Sequence, residues 1–297
     1  MCCRPTIIRT PRVMQKENKP HWDLKIEPKS GWLEFNLNEL WHYRDLLWLL
    51  VKRDFTAAYK QTILGPIWHF IQPIFTTIIF LVVFSNIARI STDGIPPVLF
   101  YMSGITLWNY FSSCLSGTSN TFVSNAGIFG KVYFPRLIMP LSVVISNLVR
   151  FGIQMALFSC ALIVYRFMGV PFRFQGTIFL IPFLVIIMAL AGLGVGILVS
   201  AVTTKYRDFS ILLGFSIQLL MYASPIIYPV SAVQGIYAKI LWLNPLTPII
   251  ETFRHALLGQ GEFNVIMLLY SATCTLVLVF SGIVVFNRVE KSFMDTV

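Results

Sequence analysis

The chain has 297 residues, of which 56% are hydrophobic and only 12% charged, which excludes an ordinary soluble domain, where ~25% of residues are charged. A formal net charge of +10 raises the question of nucleic acid, but 11 of the 23 Lys and Arg precede Thr62, ahead of any apolar span. With no aromatic and basic platform beside them, these charges read as a tail that holds one terminus in the cytoplasm and touches membrane lipid, with no nucleic-acid partner.

Residues 1–35 form this basic cytoplasmic tail. It is interrupted by Pro5, Pro11, Pro20 and Pro28 and has no apolar run that would make a cleavable signal. Residues 36–64 read as an amphipathic interface helix. Asn36 with Glu39 resembles a capping pair, and Leu40, Tyr43, Leu47, Leu50 and Val51 fall on one face. Arg44, Asp45, Lys52, Arg53 and Asp54 supply the polar positions, and Trp41 and Trp48 suit a membrane surface.

Residues 65–297 are expected to hold six transmembrane helices, since a ~30 Å hydrocarbon core needs about 20 helical residues. The spans run near 68–87, 98–118, 141–165, 177–202, 209–228 and 265–286. Between the fifth and sixth, residues 229–264 are too apolar for a loop and too broken for a span, with Pro245 and Pro248 inside and Glu251, Arg254 and His255 following. This stretch reads as a re-entrant pair of short helices. The fold class is therefore all-α integral membrane.

With both termini inside, 17 basic residues lie on the cytoplasmic side, Lys131, Arg136, Lys205 and Arg207 among them. The opposite side receives Arg89, Arg166, Arg173, Lys239 and Arg254. Asp93 is expected outside as well.

The sequence around Lys131, Gly127-Ile128-Phe129-Gly130-Lys131-Val132, lacks the spacing and the hydroxyl of a phosphate-binding loop. Gly192, Gly194 and Gly196 lie inside a span, where Gly192 and Gly196 form a G-x-x-x-G pair suited to close helix packing. Cys114, Cys160 and Cys274 have no metal-ligand spacing, and His21, His42, His69 and His255 are scattered. No catalytic residue, metal site or buried carboxylate is expected. A proton-coupled carrier or a membrane-embedded glycan-modifying enzyme would need clustered ionisable groups.

Arg150 reads as the one charge deep in a span, either reaching back to the interface or facing a hydrated route. Two stripes suit a conduit for sugars, with ring faces for pyranose C–H groups and amides for hydroxyls. They are Phe215, Gln218 and Tyr222 in the fifth span and Trp68, Gln72 and Phe75 in the first. The alternative for both is ordinary helix packing.

Three stretches resemble the permease subunits of ABC exporters for O-antigen, teichoic acid and related capsular polysaccharides. One is Arg53-Asp54-Phe55 with Tyr59, Lys60, Gln61 and Leu64-Gly65-Pro66-Ile67-Trp68. Another runs from Asn125 to Pro140 and includes Lys131-Val132-Tyr133-Phe134-Pro135-Arg136. The last is Lys205-Tyr206-Arg207-Asp208, followed by Ser224-Pro225-Ile226-Ile227-Tyr228 and Asn244-Pro245. The resemblance covers about Leu46 to Asp295. It implies a homodimer in the bacterial inner membrane, docked to two ATPase subunits that carry ATP and Mg, so that this chain binds no cofactor. It also implies that Arg53, Asp54, Lys131, Phe134, Pro135, Arg136, Tyr206, Arg207 and Asp208 couple to the ATPase. The implied cargo is a lipid-linked polysaccharide, with a small molecule or another lipid as the alternative.

Overall fold

The computed structural model describes residues 37–60, 65–129, 134–170, 175–203, 206 and 208–293. Lys131, Lys205, Arg207, Arg173 and the basic tail lie outside the described residues. Every described element is helical: α1 (Leu37–His42), α2 (Arg44–Tyr59), α3 (Trp68–Phe80), α4 (Pro97–Ser119), α5 (Thr121–Phe129), α6 (Ile138–Phe167), α7 (Ile181–Thr203), α8 (Phe209–Tyr222), α9 (Ile236–Leu243), α10 (Leu246–Leu258) and α11 (Val265–Phe293).

Four helical stretches are long and apolar enough to cross a membrane: Trp68–Ile87, Ile138–Phe167, Gly176–Thr203 and Val265–Arg288. The first contains Pro73, whose missing N–H weakens the helix locally, and it relaxes into a π-turn over Leu81–Ile87. Thr77 donates to the Pro73 carbonyl at 2.7 Å, which keeps its hydroxyl satisfied on an apolar helix. Pro96 and Pro97 open α4, where Pro is pre-set for the first helical turn.

At 23 residues, α4 is long enough to span, yet it is more polar than the four. Its position explains the difference. It is buried on most sides, packed against α3, α6, α7 and α10, so it does not need a lipid-grade surface. Two of its buried hydroxyls turn back on their own backbone, Ser103 to the Phe100 carbonyl at 2.7 Å and Ser119 to that of Ser116 at 2.8 Å.

Glycine sets how closely α7 lies between its neighbours. A Cβ on Gly192 would stand 2.8 Å from Cys114 Cβ, and one on Gly196 would stand 2.6 Å from Thr118 Cβ, both on α4. A Cβ on Gly194, on the other face, would lie 2.8 Å from the Val279 nitrogen of α11. The glycine run is thus a two-sided packing seam.

Two apolar clusters result. The larger surrounds α4 with Tyr101, Phe111, Phe158, Met188, Ile249 and Phe253. The smaller joins Leu50 of α2 to Phe122, Phe134, Ile138, Ile197 and Phe286, with the Phe122 and Phe286 rings stacked 4.8 Å apart. The apolar stripe of residues 37–59 is therefore spent partly on the bundle: Leu50 and Val51 are buried, while Trp41 and Trp48 stay exposed.

The expected fifth span does not reach Tyr228, because α8 stops at Tyr222 and a turn follows. Pro225 disfavours helical backbone at Ser224, which makes this the natural stopping point. At 14 residues α8 is a short apolar helix rather than a full-length span. Helices α9 and α10 then occupy the interrupted segment, and α10 closes on Gly259 in the left-handed conformation at φ 72°.

Candidate functional site

The helix end at Tyr222 creates a physical problem. Backbone carbonyls freed by a turn within an apolar bundle must find donors. Asn244, ahead of α10, donates its amide to the Ala223 carbonyl at 3.1 Å and to Ser224 Oγ at 3.0 Å. Arg254 of α10 donates through Nη1 to the Pro225 carbonyl at 2.6 Å and through Nη2 to that of Ile226 at 3.1 Å. Its Nε reaches Ser103 Oγ at 3.3 Å, and its guanidinium lies over the Phe100 ring, 3.8 Å from the centroid.

The counter-charge is Glu251, one turn earlier on α10, with Oε1 at 3.2 Å from Arg254 Nη1. Arg254 is 1% exposed and Glu251 3%. Glu251 Oε2 also accepts the Glu262 N–H at 3.4 Å. A Cβ on Gly104 would stand 3.0 Å from Arg254 Nη2, so a glycine lets α4 come this close. The arrangement clamps the turn after α8 to α4 and α10. Nearby, Ser231 donates to Asp93 Oδ2 at 2.6 Å, tying the loop before α4 to the segment before α9.

This clamp overturns two sequence expectations. A buried carboxylate is present, and the deepest cation among the described residues is Arg254 rather than Arg150. Arg254 also leaves the count of outer-loop charges, since it lies inside the bundle. The readable signal was a charged i, i+3 pair within the otherwise apolar stretch Leu246–Leu258. Such a pair must turn inward, because its cost in lipid is prohibitive.

Arg150 is half-buried on α6 and donates to Asn147 Oδ1 at 3.1 Å. The His69 ring, in the first turn of α3, and the Cys114 thiol of α4 lie close enough to Arg150 to feel its charge. One turn further along α6, Gln154 accepts from Asn109 Nδ2 at 3.4 Å. Asn147, Arg150 and Gln154 thus form a polar stripe on one face of α6.

Both predicted sugar stripes are open within the single chain. Trp68, Gln72 and Phe75 are exposed on α3, and Phe215, Gln218 and Tyr222 are exposed on α8. Packing inside the chain therefore consumes neither.

The predicted coupling residues divide by accessibility. Arg53 and Asp54 pair with each other at 2.8 Å on the accessible face of α2. Phe134 and Pro135 are buried, so they seat the loop before α6 instead of presenting a surface. Arg136 is half-buried, and Tyr206 and Asp208 are exposed just ahead of α8. The Asp208 carbonyl accepts the Ile211 N–H at 3.1 Å, placing this residue at the helix start.

The ABC-2 type transporter family model matches residues 45–258, from the first turn of α2 to the last residue of α10. The chain belongs to the ABC-2 type transporter family. The matched region contains the clamp, the polar stripe of α6 and both exposed stripes. Relatives cover nearly the whole chain. It is 25% identical over 264 residues to the O-antigen export system permease protein RfbA of Klebsiella pneumoniae, covering 89% of this chain and 98% of that protein. The RfbA protein of Myxococcus xanthus is 25% identical over 265 residues, 88% and 98% of the two chains. The polysialic acid transport protein KpsM of Escherichia coli is 22% identical over 248 residues, 83% and 94%. In ABC-2 terms, the chain is a membrane transport subunit.

Proposed function

We propose that two copies of this chain, docked to two ABC ATPase subunits, export a lipid-linked polysaccharide across the bacterial plasma membrane. The observation that carries the reading is similarity along almost the entire length to permeases named for O-antigen export and for polysialic acid transport. ATP and Mg are handled by the partner subunits, and this chain supplies the conduit and the coupling surface.

In this reading six spans cross the membrane: α3 with its π-turn, α4, α6, α7, α8 completed by the turn that follows it, and α11. Helices α9 and α10 are re-entrant, α2 lies at the cytoplasmic surface, and both termini are cytoplasmic. Arg53 with Asp54, Lys131 with Arg136, and the segment Tyr206-Arg207-Asp208 receive the motion of the ATPase, with Phe134 and Pro135 seating the chain ahead of α6. The open stripes on α3 and α8 face the second copy across the conduit, where rings and amides pass the sugar chain along.

The decisive experiment places the chain and its ATPase partner in phosphatidylcholine vesicles with labelled lipid-linked polysaccharide. Polymer should cross only with hydrolysable ATP. Movement of small lipids alone, with polymer left behind, would overturn the assignment. Cysteine labelling of intact cells should reach positions 93 and 239 and spare 131 and 205.

A further inference from the structure

The cation that the clamp leaves unexplained is Arg150. A guanidinium carries five N–H donors in a planar fork. Here a single side-chain bond, to Asn147, is made, and among the described residues no carboxylate lies within ion-pair distance. The groups around it add no negative charge. His69 approaches from α3, and Asn147 and Cys114 are polar and neutral.

Its depth is readable from the helix. After Arg150, α6 continues for 17 residues, from Phe151 to Phe167, which is about 25 Å of rise. Under the topology proposed above, α6 runs outward, so Arg150 lies near the cytoplasmic edge of a ~30 Å hydrocarbon core. Under the same topology His69, the second residue of α3, lies at that end of the bundle as well. A cation at that level, half open and short of acceptors, meets anions carried in the plane of the membrane before it meets anything from bulk water.

We infer that Arg150, oriented by Asn147 and backed by His69, seats the phosphate ester at the head of a membrane lipid. The planar fork matches phosphate oxygens bidentately and gains from the low-dielectric surroundings. The inference rests on the transport reading for its biological occupant, the phosphate joining carrier lipid to glycan.

The test uses the complex with its ATPase in phosphatidylcholine nanodiscs and a fluorescent short-chain polyprenyl diphosphate. A phosphate-free polyprenol serves as the control. Arg150→Gln should weaken diphosphate binding about tenfold or more, the value of a charge-assisted hydrogen bond, and leave polyprenol binding unchanged. Arg150→Lys should restore most of the loss. Phosphatidylglycerol added to the disc separates the sources. Weak competition assigns the seat to the carrier, and full competition with the same Arg150 dependence assigns it to bulk anionic lipid. Wild-type diphosphate affinity in Arg150→Gln would overturn the inference. So would an equal loss for both probes, or dissociation of the dimer, which would make a second copy the true partner of Arg150. The two readings fail separately. Polymer export with unchanged diphosphate binding in Arg150→Gln removes the seat alone, whereas Arg150-dependent binding without polymer export removes the transport reading alone.

Discussion

Two arginines on the helices of this bundle show how differently one residue type is used. Arg254 is saturated: two carbonyls, a serine hydroxyl, a carboxylate and a phenyl ring surround its guanidinium, and almost none of it is exposed. Arg150 is half-buried and makes one hydrogen bond to Asn147. Arg254 is therefore a structural tie, whose donors replace the solvent that a broken helix has lost. Arg150 keeps donors in reserve, which is what a binding residue needs. Charge at depth does not by itself separate structure from function; the filling of its donors does.

Breaking the saturated site should cost most. Arg254→Ala strands Glu251 and frees the Pro225 and Ile226 carbonyls, a loss of about 3–5 kcal/mol by analogy with other buried pairs. The expected outcome is little folded protein in detergent and a strongly lowered unfolding midpoint. Pairing Arg254→Met with Glu251→Met sharpens the point. If the ion pair alone mattered, the double variant would recover; because the two carbonyls stay orphaned, recovery should be small.

Glu251→Gln is milder, since an amide still accepts from Arg254, and about 1.5–3 kcal/mol is expected from the lost charge-assisted bond. Asn244→Ala should cost about 1–3 kcal/mol, because the Ala223 carbonyl and a serine hydroxyl lose their donor and the Leu246 N–H loses its acceptor. Thermal unfolding of the purified complex ranks all three. Restoration of stability by Arg254→Lys to the wild-type level would show that charge alone, without the fork, suffices, and would dissolve the contrast.

Arg150→Gln lies at the other end, with a stability change within about 0.5 kcal/mol and a clear fall in export. A large loss of stability would place Arg150 with Arg254 and remove it from the route. The open stripes offer a related check. Tyr222→Ala and Phe75→Ala should lower polymer export per complex while assembly and ATP hydrolysis persist. Loss of assembly would make those rings interface packing.

Long apolar stretches were legible because lipid demands about 20 uninterrupted apolar residues, a one-dimensional property. The helices at 68–87, 138–167, 176–203 and 265–288 follow from that demand alone. One side of the glycine seam was legible too, as the Gly192 and Gly196 pair four residues apart in an apolar span, whereas the approach of α11 to Gly194 was not. The end of α8 was not. Local hydropathy continues through Ile226, Ile227 and Tyr228, and the turn is tolerable only because Asn244 and Arg254 bring donors from later in the chain.

The sequence by itself determined the all-helical membrane class, the order of the apolar helices and the family resemblance, since hydropathy and short motifs are written in neighbouring residues. Only the tertiary structure decided which charges are spent and which are open. That distinction depends on acceptors supplied across the bundle: from Pro225, 29 residues before Arg254, and from Ser103, 151 residues before it. A residue's neighbours in sequence set its cost of burial, whereas its neighbours in space determine whether that cost is offset within the chain or left for a ligand to offset.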